Sequence, residues 1–594
     1  MIRIGGGSGY WGESDMGLPQ LLAEPDLDFV VFDYLAEITM SIMARAHAKD
    51  ASLGYATDFV HSVIGKNLPE IAETGAKLLS NAGGVNPEKC AEAVRAKIAE
   101  AGLNLSVAAV TGDNLTQRAG DFANAREMFS GEGFPAADRI ASINAYLGAF
   151  AIAEALNAGA DIVITGRCAD SALALAACIH SFGWKRDDWD KLSAGSLAGH
   201  LIECGPQASG GNFTDWEEVE DSLVDAGYPI AMVEADGTMV LTKPRGTGGA
   251  VTVGTVAEQL VYEIGDPQAY LLPDVTCDFS NVTLDQIALD QVRVAGATGR
   301  PAPASYKTSA TFRDGYRIQT LWYFIGRDAS AKARSFAKSA FKRANRKLAA
   351  SGFDEYTETS IEAVGDDTHF GAFADAQDTR ELAIKIAARH PDPKALTILL
   401  KEASGLALAA PPGLALYTGG RPSPSQVVRL FSFLVPKQDV PISIELDGKS
   451  LVYSENPVTI EASQPDAIDE PALPQSAGDM TTVLLRDLAY GRSGDKGNNA
   501  NIGLIPRAKL FAPWIWHAVT TQVVEERFAH FLEGRVERFY MPGTGAMNLL
   551  LHDVLGGGGM ASLRCDPQGK SYAQILLDMP VSIPRKLLRE ASLA

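Results

Sequence analysis

The sequence predicts an α/β protein: a Rossmann-like, mostly parallel sheet body, then an α+β segment, then a small α+β domain at the C-terminus. Three observations predict this. The chain has 594 residues, more than one hydrophobic core organises. Up to about residue 275, short β-branched runs alternate with amphipathic stretches, the pattern of right-handed βαβ units. Residues 463–480 hold three prolines and four acids with no basic residue, the composition of an extended linker. The expected divisions are 1–284, 285–462, the linker 463–480, and 481–594.

Taken in order, residues 2–4 are a strand, and 28–33 (DFVVFD) is an apolar run between acids, as in a buried parallel strand. Residues 71–79 read as helix, 106–110 (SVAAV) as strand and 140–158 as one long helix. The buried strand 161–165 (DIVIT) precedes an apolar helix at 171–180. Beyond about residue 285 the runs 291–295, 306–312 and 317–324 look like antiparallel strands, and 331–349 is a basic amphipathic helix. A strand at 360–364, a helix at 379–389 and a strand at 427–435 follow. In the last segment, 482–485 and 502–505 are strands joined across a long polar loop.

Charge and cysteine usage narrow the function. With 52 lysines and arginines against 73 acids the net charge is −21, which argues against nucleic acid or an anionic membrane as partner. A small anion needs only a local cluster of donors. The six cysteines lie far apart without a CxxC pair, as expected of reduced thiols with no structural zinc. No secretory stretch opens the chain and no apolar run reaches membrane-spanning length, so the expectation is a cytoplasmic protein. The apolar residues of 406–416 suggest a buried interface, hence a homo-oligomer.

In a parallel sheet, ligands bind beyond the carboxyl ends of the strands. Gly7, Ser8 and Gly9 follow the first strand, and Gly7, Gly9 and Gly12 fit G-x-G-x-x-G with Asp33 about twenty residues on. Glu13, Asp15 and Pro19 stand where a pyrophosphate and a helix start belong, so a glycine-lined ligand loop is preferred to an NAD(P) site. Lys243, Arg245, Gly246 and Gly248, ahead of a capping box at 255–258, form an anion-site candidate; pairing with local acids is the alternative. Arg167 and Asp170 follow the strand 161–165; Asp33 or Glu37 could partner the guanidinium, and Asp170 reads as a helix N-cap. His200 and Glu203 are acid–base candidates, with Cys204 beside them and Asn212 in the Gly-rich loop that follows. Arg492, Ser493, Asp495, Lys496 and Asn498 make a second anion cradle or an inter-domain docking loop. The histidines are scattered, so no metal site is expected.

Several ordered motifs resemble one family. They are Asp33-Tyr34-Leu35-Ala36-Glu37, Asn81-Ala82-Gly83-Gly84, Gly112-Asp113-Asn114, 165–171, 199–205, 210–214 and 243–248. The chain resembles the acyclic terpene utilisation family, AtuA, across essentially its whole length, and 492–501 resembles the ferredoxin-like domain at the C-terminus of its members. The resemblance implies breakdown of branched-chain or terpenoid acids. The expectation is an enzyme acting on an acyl-CoA or carboxylate by lyase, hydratase or hydrolase chemistry, with a small anionic substrate. No cofactor is expected, coenzyme A entering only as part of a substrate. A non-catalytic subunit or scaffold of the same pathway is the alternative. Cys168 and Pro206 depart from the family's pattern, so Cys168 carries no catalytic expectation.

Overall fold

The computed structural model describes residues 1–375, 379–416, 422–455, 464–472, 474–475 and 478–591. Eight strands lead the chain: β1 (Ile2–Ser8), β2 (Phe29–Phe32), β3 (Lys77–Ser80), β4 (Val107–Thr111), β5 (Ile140–Ala145), β6 (Ile162–Thr165), β7 (Ile230–Val233) and β8 (Met239–Thr242). Among them lie α1 (Gly17–Leu22), α2 (Glu37–Lys49), α3 (Gly65–Thr74), α4 (Pro87–Glu100), α5 (Phe150–Asn157), α6 (Ala172–Phe182) and α7 (Trp189–Ile202), with α8 (Val253–Leu260) after β8.

The main sheet is mixed, which corrects the mostly parallel expectation. Its centre, β1-β2-β3-β6-β4, is parallel. β7 and β8 beside β1, the hairpin Thr283–Ala288/Gln291–Ala295 beyond them, and Ser443–Leu446/Lys449–Leu451 beside β4 are antiparallel. The flanks are hairpins, which need no crossover helix, so the alternation that marks parallel strands stops where they begin. Both faces of the centre are covered. Phe29 and Val31 enter the core under α5–α7, while Val30 and Phe32 enter the core under α1–α4. That is why 28–33 reads as an unbroken apolar run.

A second sheet is built on one continuous strand, Ser305–Ile325, where two were expected. It pairs with Ser425–Pro436, Glu381–His390, Leu414–Leu416 and β5. Three expected helices are therefore revised. Residues 140–158 divide into β5 and α5, because an apolar run of this length suits either conformation. The expected helix 379–389 is the strand Glu381–His390: Leu382, Ile384, Ile386 and Ala388, at every second position, enter one hydrophobic core. Residues 71–79 leave α3 at Gly75, which takes the left-handed conformation, and continue as β3. The two sheets exchange strands, since β5 leaves the first segment and 443–451 returns to the main sheet.

Residues 464–472 carry neither helix nor strand. The C-terminal sheet has the order Ala489–Lys496, Asn499–Pro506, Ala546–Leu551, Val536–Met541, all antiparallel. The long polar loop expected at 490–503 is thus a tight hairpin with Gly497 at positive φ in its turn. No helix among the described residues is long and apolar enough to cross a membrane.

Candidate active site at the carboxyl ends of the parallel strands

Every central strand ends in a polar residue on the same side of the sheet. Asp33 follows β2, Asn81 follows β3, Asp113 lies just past β4, and Arg167 and Asp170 follow β6. Asn81 donates its amide N–H to Asp33 and accepts the Tyr34 N–H at 2.7 Å, which fixes the Asp33 carboxyl at the strand end. The last turn of α7 lies over β1, where a Cβ at Gly6 would overlap the Ile202 carbonyl and one at Gly9 would press on Cys204. Glycine there lets the helix end approach and brings His200 and Glu203 over the same edge. His200 Nδ1 lies 3.1 Å from Glu203 Oε1, leaving His200 Nε2 and Glu203 Oε2 buried without partners.

These groups share one field. Burial first, then the charge of Asp170, pushes the Asp33 carboxyl well above its ordinary range against the opposing pull of Arg167. Burial likewise raises Glu203, with His200 pulling it down. Arg167 is buried and bonds Asp170 at 2.7 Å, and its charge also acts on Asp33. Asp170 is accordingly an ion-pair residue, and Ser171 takes the N-cap position of α6. Glu37 opens α2; its side chain lies outside the described residues.

The C-terminal domain completes the cluster. Lys496, at the end of strand Ala489–Lys496, faces Tyr270, Glu263, Asp170 and Glu203. Burial opposes its charge, but these groups outweigh it and hold the ammonium well above the ordinary lysine range. Enclosed by so many groups, Lys496 and Asp170 still expose 37% and 29% of their side chains, which makes this a cleft and not a packed core. Lys496 also lies 3.8 Å from Glu263, which Lys570 holds from another side at 2.9 Å. The two lysines overcome burial and draw Glu263 down to about 2.

Of the rest of the second cradle, Arg492 docks the domain, the other role open to it, and the remaining residues bond within the domain. Arg492 donates to the Asn212 carbonyl at 2.9 Å and to Gln207, with its guanidinium 4.8 Å from the centre of the Tyr262 ring. Thr214 Oγ1 accepts the Gly491 N–H at 3.0 Å, and Arg507 grips Asp215 with both terminal nitrogens. Ser493 receives the Ala573 N–H, Asp495 pairs with Lys570, and Asn498 bonds Asp553 and Gly557, all within the domain.

Two other candidate loops are satisfied elsewhere. The Glu13 carboxylate accepts the Gly9 N–H at 2.7 Å and the Ser8 hydroxyl at 3.3 Å, so the glycine loop already holds an anion of its own where a dinucleotide phosphate would lie. Gly7 packs against Phe32 and Val30. Lys243 pairs with Asp290 at 3.2 Å and the Thr247 carbonyl at 2.7 Å, and Arg245 is exposed with its N–H on Glu24. Gly246 is exposed, and Gly248 packs on Ser222. The capping box is Thr252 with Thr255, while Glu258 accepts the Thr214 N–H at 3.0 Å. Burial lifts the Glu258 carboxyl to about 7.

Tyr270, Glu263, Asn81 and Asp113 belong to the neighbourhood but were not singled out from sequence as site groups. Among the described residues, Glu362, His369 and Cys565 have ligand atoms within 4.8 Å of one another, a grouping hidden by their sequence separation. The Lys385 ammonium, 3.1 Å from Glu362, already supplies a cation there.

Residues 2–446 match the acyclic terpene utilisation family protein AtuA, and residues 483–582 match the AtuA ferredoxin-like domain. No curated protein and no solved structure matches. Both matches follow the order of the two parts that meet at Lys496, and this chain belongs to the acyclic terpene utilisation family AtuA, carrying its ferredoxin-like domain at the C-terminus.

Proposed function

We propose that the chain is a catabolic enzyme of branched-chain or acyclic terpenoid acid degradation, moving protons on a carboxylate or acyl-CoA intermediate by hydratase or lyase chemistry. The observation that carries this reading is the meeting of Asp33, the His200–Glu203 pair and Lys496 in one cleft. Burial and the charge of Asp170 favour the protonated form of Asp33, which suits it to give a proton. The His200–Glu203 pair, with unpartnered Nε2 and Oε2, takes one. Lys496, held charged by the acids around it, stabilises the enolate oxygen that forms when a proton leaves the carbon beside a carbonyl. A thiol hydrolase is a poorer fit, because burial and then the charges of Glu203 and Glu263 hold the Cys204 thiol well above the range of a reactive thiolate.

The test is turnover of unsaturated and hydroxylated branched acids and their CoA thioesters by the full chain and by Asp33→Asn, Glu203→Gln and Lys496→Met. Each variant is expected to lose about 100-fold or more in rate while staying folded. Binding without turnover of any compound would favour the non-catalytic subunit, and wild-type rates in all three variants would overturn the assignment.

A further inference from the structure

We infer that Glu362, His369 and Cys565 form a site for a zinc-type divalent cation where the second sheet meets the C-terminal domain. The site uses none of the groups of the acid–base cleft and stands apart from the function proposed for them. No local spacing announces it, because its donors come from three separate elements. Glu362 lies in the strand Glu358–Val364, His369 in the turn Thr368–Phe373, and Cys565 in the loop that follows Ala546–Leu551. One ligand atom from each lies within 4.8 Å of the other two. Tetrahedral zinc bonds nitrogen and oxygen at about 2.0–2.1 Å and sulfur at about 2.3 Å, so two of its ligands stand about 3.3–3.6 Å apart. His369 Nε2 and Glu362 Oε1 are 3.8 Å apart, too far for a hydrogen bond and close to that spacing. The gap that remains toward sulfur is about 1 Å. Cys565 is exposed, so a small change in its side-chain torsion closes it.

Lys385 is the competitor already present. Its ammonium is buried, lies 3.1 Å from Glu362 Oε2 and donates to the Leu563 carbonyl at 2.6 Å. It therefore holds one carboxylate oxygen and leaves the other. Oε1 accepts the Cys565 N–H at 3.0 Å, which uses one of its two lone pairs and keeps the second for an ion. Ligating carboxylates are ordinarily aimed by outer hydrogen bonds of this kind. The two loops are also pinned. The His369 carbonyl accepts the His530 Nε2–H at 2.9 Å, and Thr368 Oγ1 accepts Arg334 at 2.8 Å. Arg564, next to Cys565, turns its guanidinium onto the Phe531 carbonyl at 3.1 Å and the Val554 carbonyl, so its hydrogen bonds are made elsewhere. A thiolate and a carboxylate match the charge of a divalent ion, while the Lys385 ammonium beside them keeps the affinity modest, in the micromolar range. One sulfur, one imidazole and one carboxylate suit zinc and not magnesium or calcium, which take oxygen ligands. On binding, the thiol S–H bond breaks, sulfur bonds the ion and the proton passes to solvent. Because the ligands come from both parts of the chain, the ion fastens the C-terminal domain to the second sheet.

The test is titration of the full chain with cobalt(II) and then zinc(II). Cobalt is expected to give a thiolate-to-metal charge-transfer band in the near ultraviolet together with the intense visible bands of a tetrahedral site. Zinc should displace it, and millimolar magnesium should not. Cys565→Ser should abolish the charge-transfer band. His369→Gln should weaken zinc binding by about 100-fold, the upper end of what an outer partner of a metal site is worth. Cys565 is exposed and the His369 side chain is 23% exposed, so both variants are expected to fold. Should either fail to, the unaltered chain still decides, since zinc is expected to protect Cys565 from alkylation by iodoacetamide and magnesium is not. A band that survives Cys565→Ser, no band at millimolar cobalt, unchanged zinc affinity in His369→Gln, or alkylation of Cys565 that zinc does not slow overturns the inference.

Discussion

Replacing Arg507 by alanine should loosen the docked C-terminal domain without touching the acid–base groups. Arg507 Nη1 and Nη2 donate to the two Asp215 carboxylate oxygens at 2.5 and 2.6 Å, with side chains 24% and 21% exposed. Charge-assisted hydrogen bonds are worth about 1.5–3 kcal/mol each, and a pair this accessible is screened to a fraction of that. The guanidinium also stacks 4.3 Å from the centre of the Tyr490 ring, a contact within the C-terminal domain that orients it and leaves the docking equilibrium to the ion pair. A net loss of about 2 kcal/mol follows, a factor of about 30 in the docking equilibrium. Two amides report that equilibrium, because Gly491 N–H bonds Thr214 and Glu263 N–H bonds Asn501 across the interface. Hydrogen exchange at both should quicken by about 30-fold, and a double-mutant cycle with Asp215→Asn should return most of the coupling. Unchanged exchange, or a coupling below about 0.5 kcal/mol, would refute the claim that this pair holds the interface.

Other substitutions test other parts of the reasoning. Gly6→Ala forces a Cβ onto the Ile202 carbonyl and should cost about 1–3 kcal/mol in a denaturant melt. Cys204→Ala should keep turnover, since the thiol is held protonated, and a large loss would restore Cys204 as a nucleophile. Glu258, raised to about 7, is protonated in folded and unfolded chains below its ordinary pKa of 4.5, and between 4.5 and 7 only the folded state keeps the proton. Its contribution therefore destabilises the fold as pH rises through that window, by roughly 3 kcal/mol in all; Glu258→Gln should flatten this part of the stability–pH profile, and an unchanged profile would count against it.

Much of the site was legible because its residues lie next to strands that were also legible. Asp33, Arg167 and Asp170 follow runs whose unbroken apolarity marks them as buried and parallel, and the rule for such sheets points to their ends. His200 and Glu203 were visible as chemistry, but their nearness to Asp33 depends on a helix end crossing β1 at Gly6. Tyr270 and Glu263 were not legible, because nothing local distinguishes them from packing residues. The error at 379–389 had a signal that was available, the apolar residues Leu382, Ile384, Ile386 and Ala388 at every second position. The error at 140–158 did not: Ile140–Ala145 becomes strand only because Ser305–Ile325, far along the chain, offers it an edge.

The charge balance of the cleft explains why the C-terminal domain is joined to it through polar groups. The first part of the chain brings Asp33, Asp170, Glu203 and Glu263 to one place, and its nearby cation, Arg167, is bonded to Asp170. Ionising several of these acids together is costly unless a cation arrives. Lys496 and Lys570 arrive on the C-terminal domain. The contacts that seat them are directional: Asn501 to the Val261 carbonyl and Glu263 N–H, Asn548 to Ile264 and Gly265, Thr214 to Gly491, Arg507 to Asp215. An apolar interface would tolerate sliding, whereas each of these bonds is lost by a shift of about 1 Å. Such an interface fixes where the Lys496 ammonium stands, and a charge acting on a proton transfer must be fixed in that way. Arg507→Ala weakens one of several such bonds and should leave most molecules docked and active, whereas Lys496→Met leaves the docking intact and removes the charge that docking exists to place.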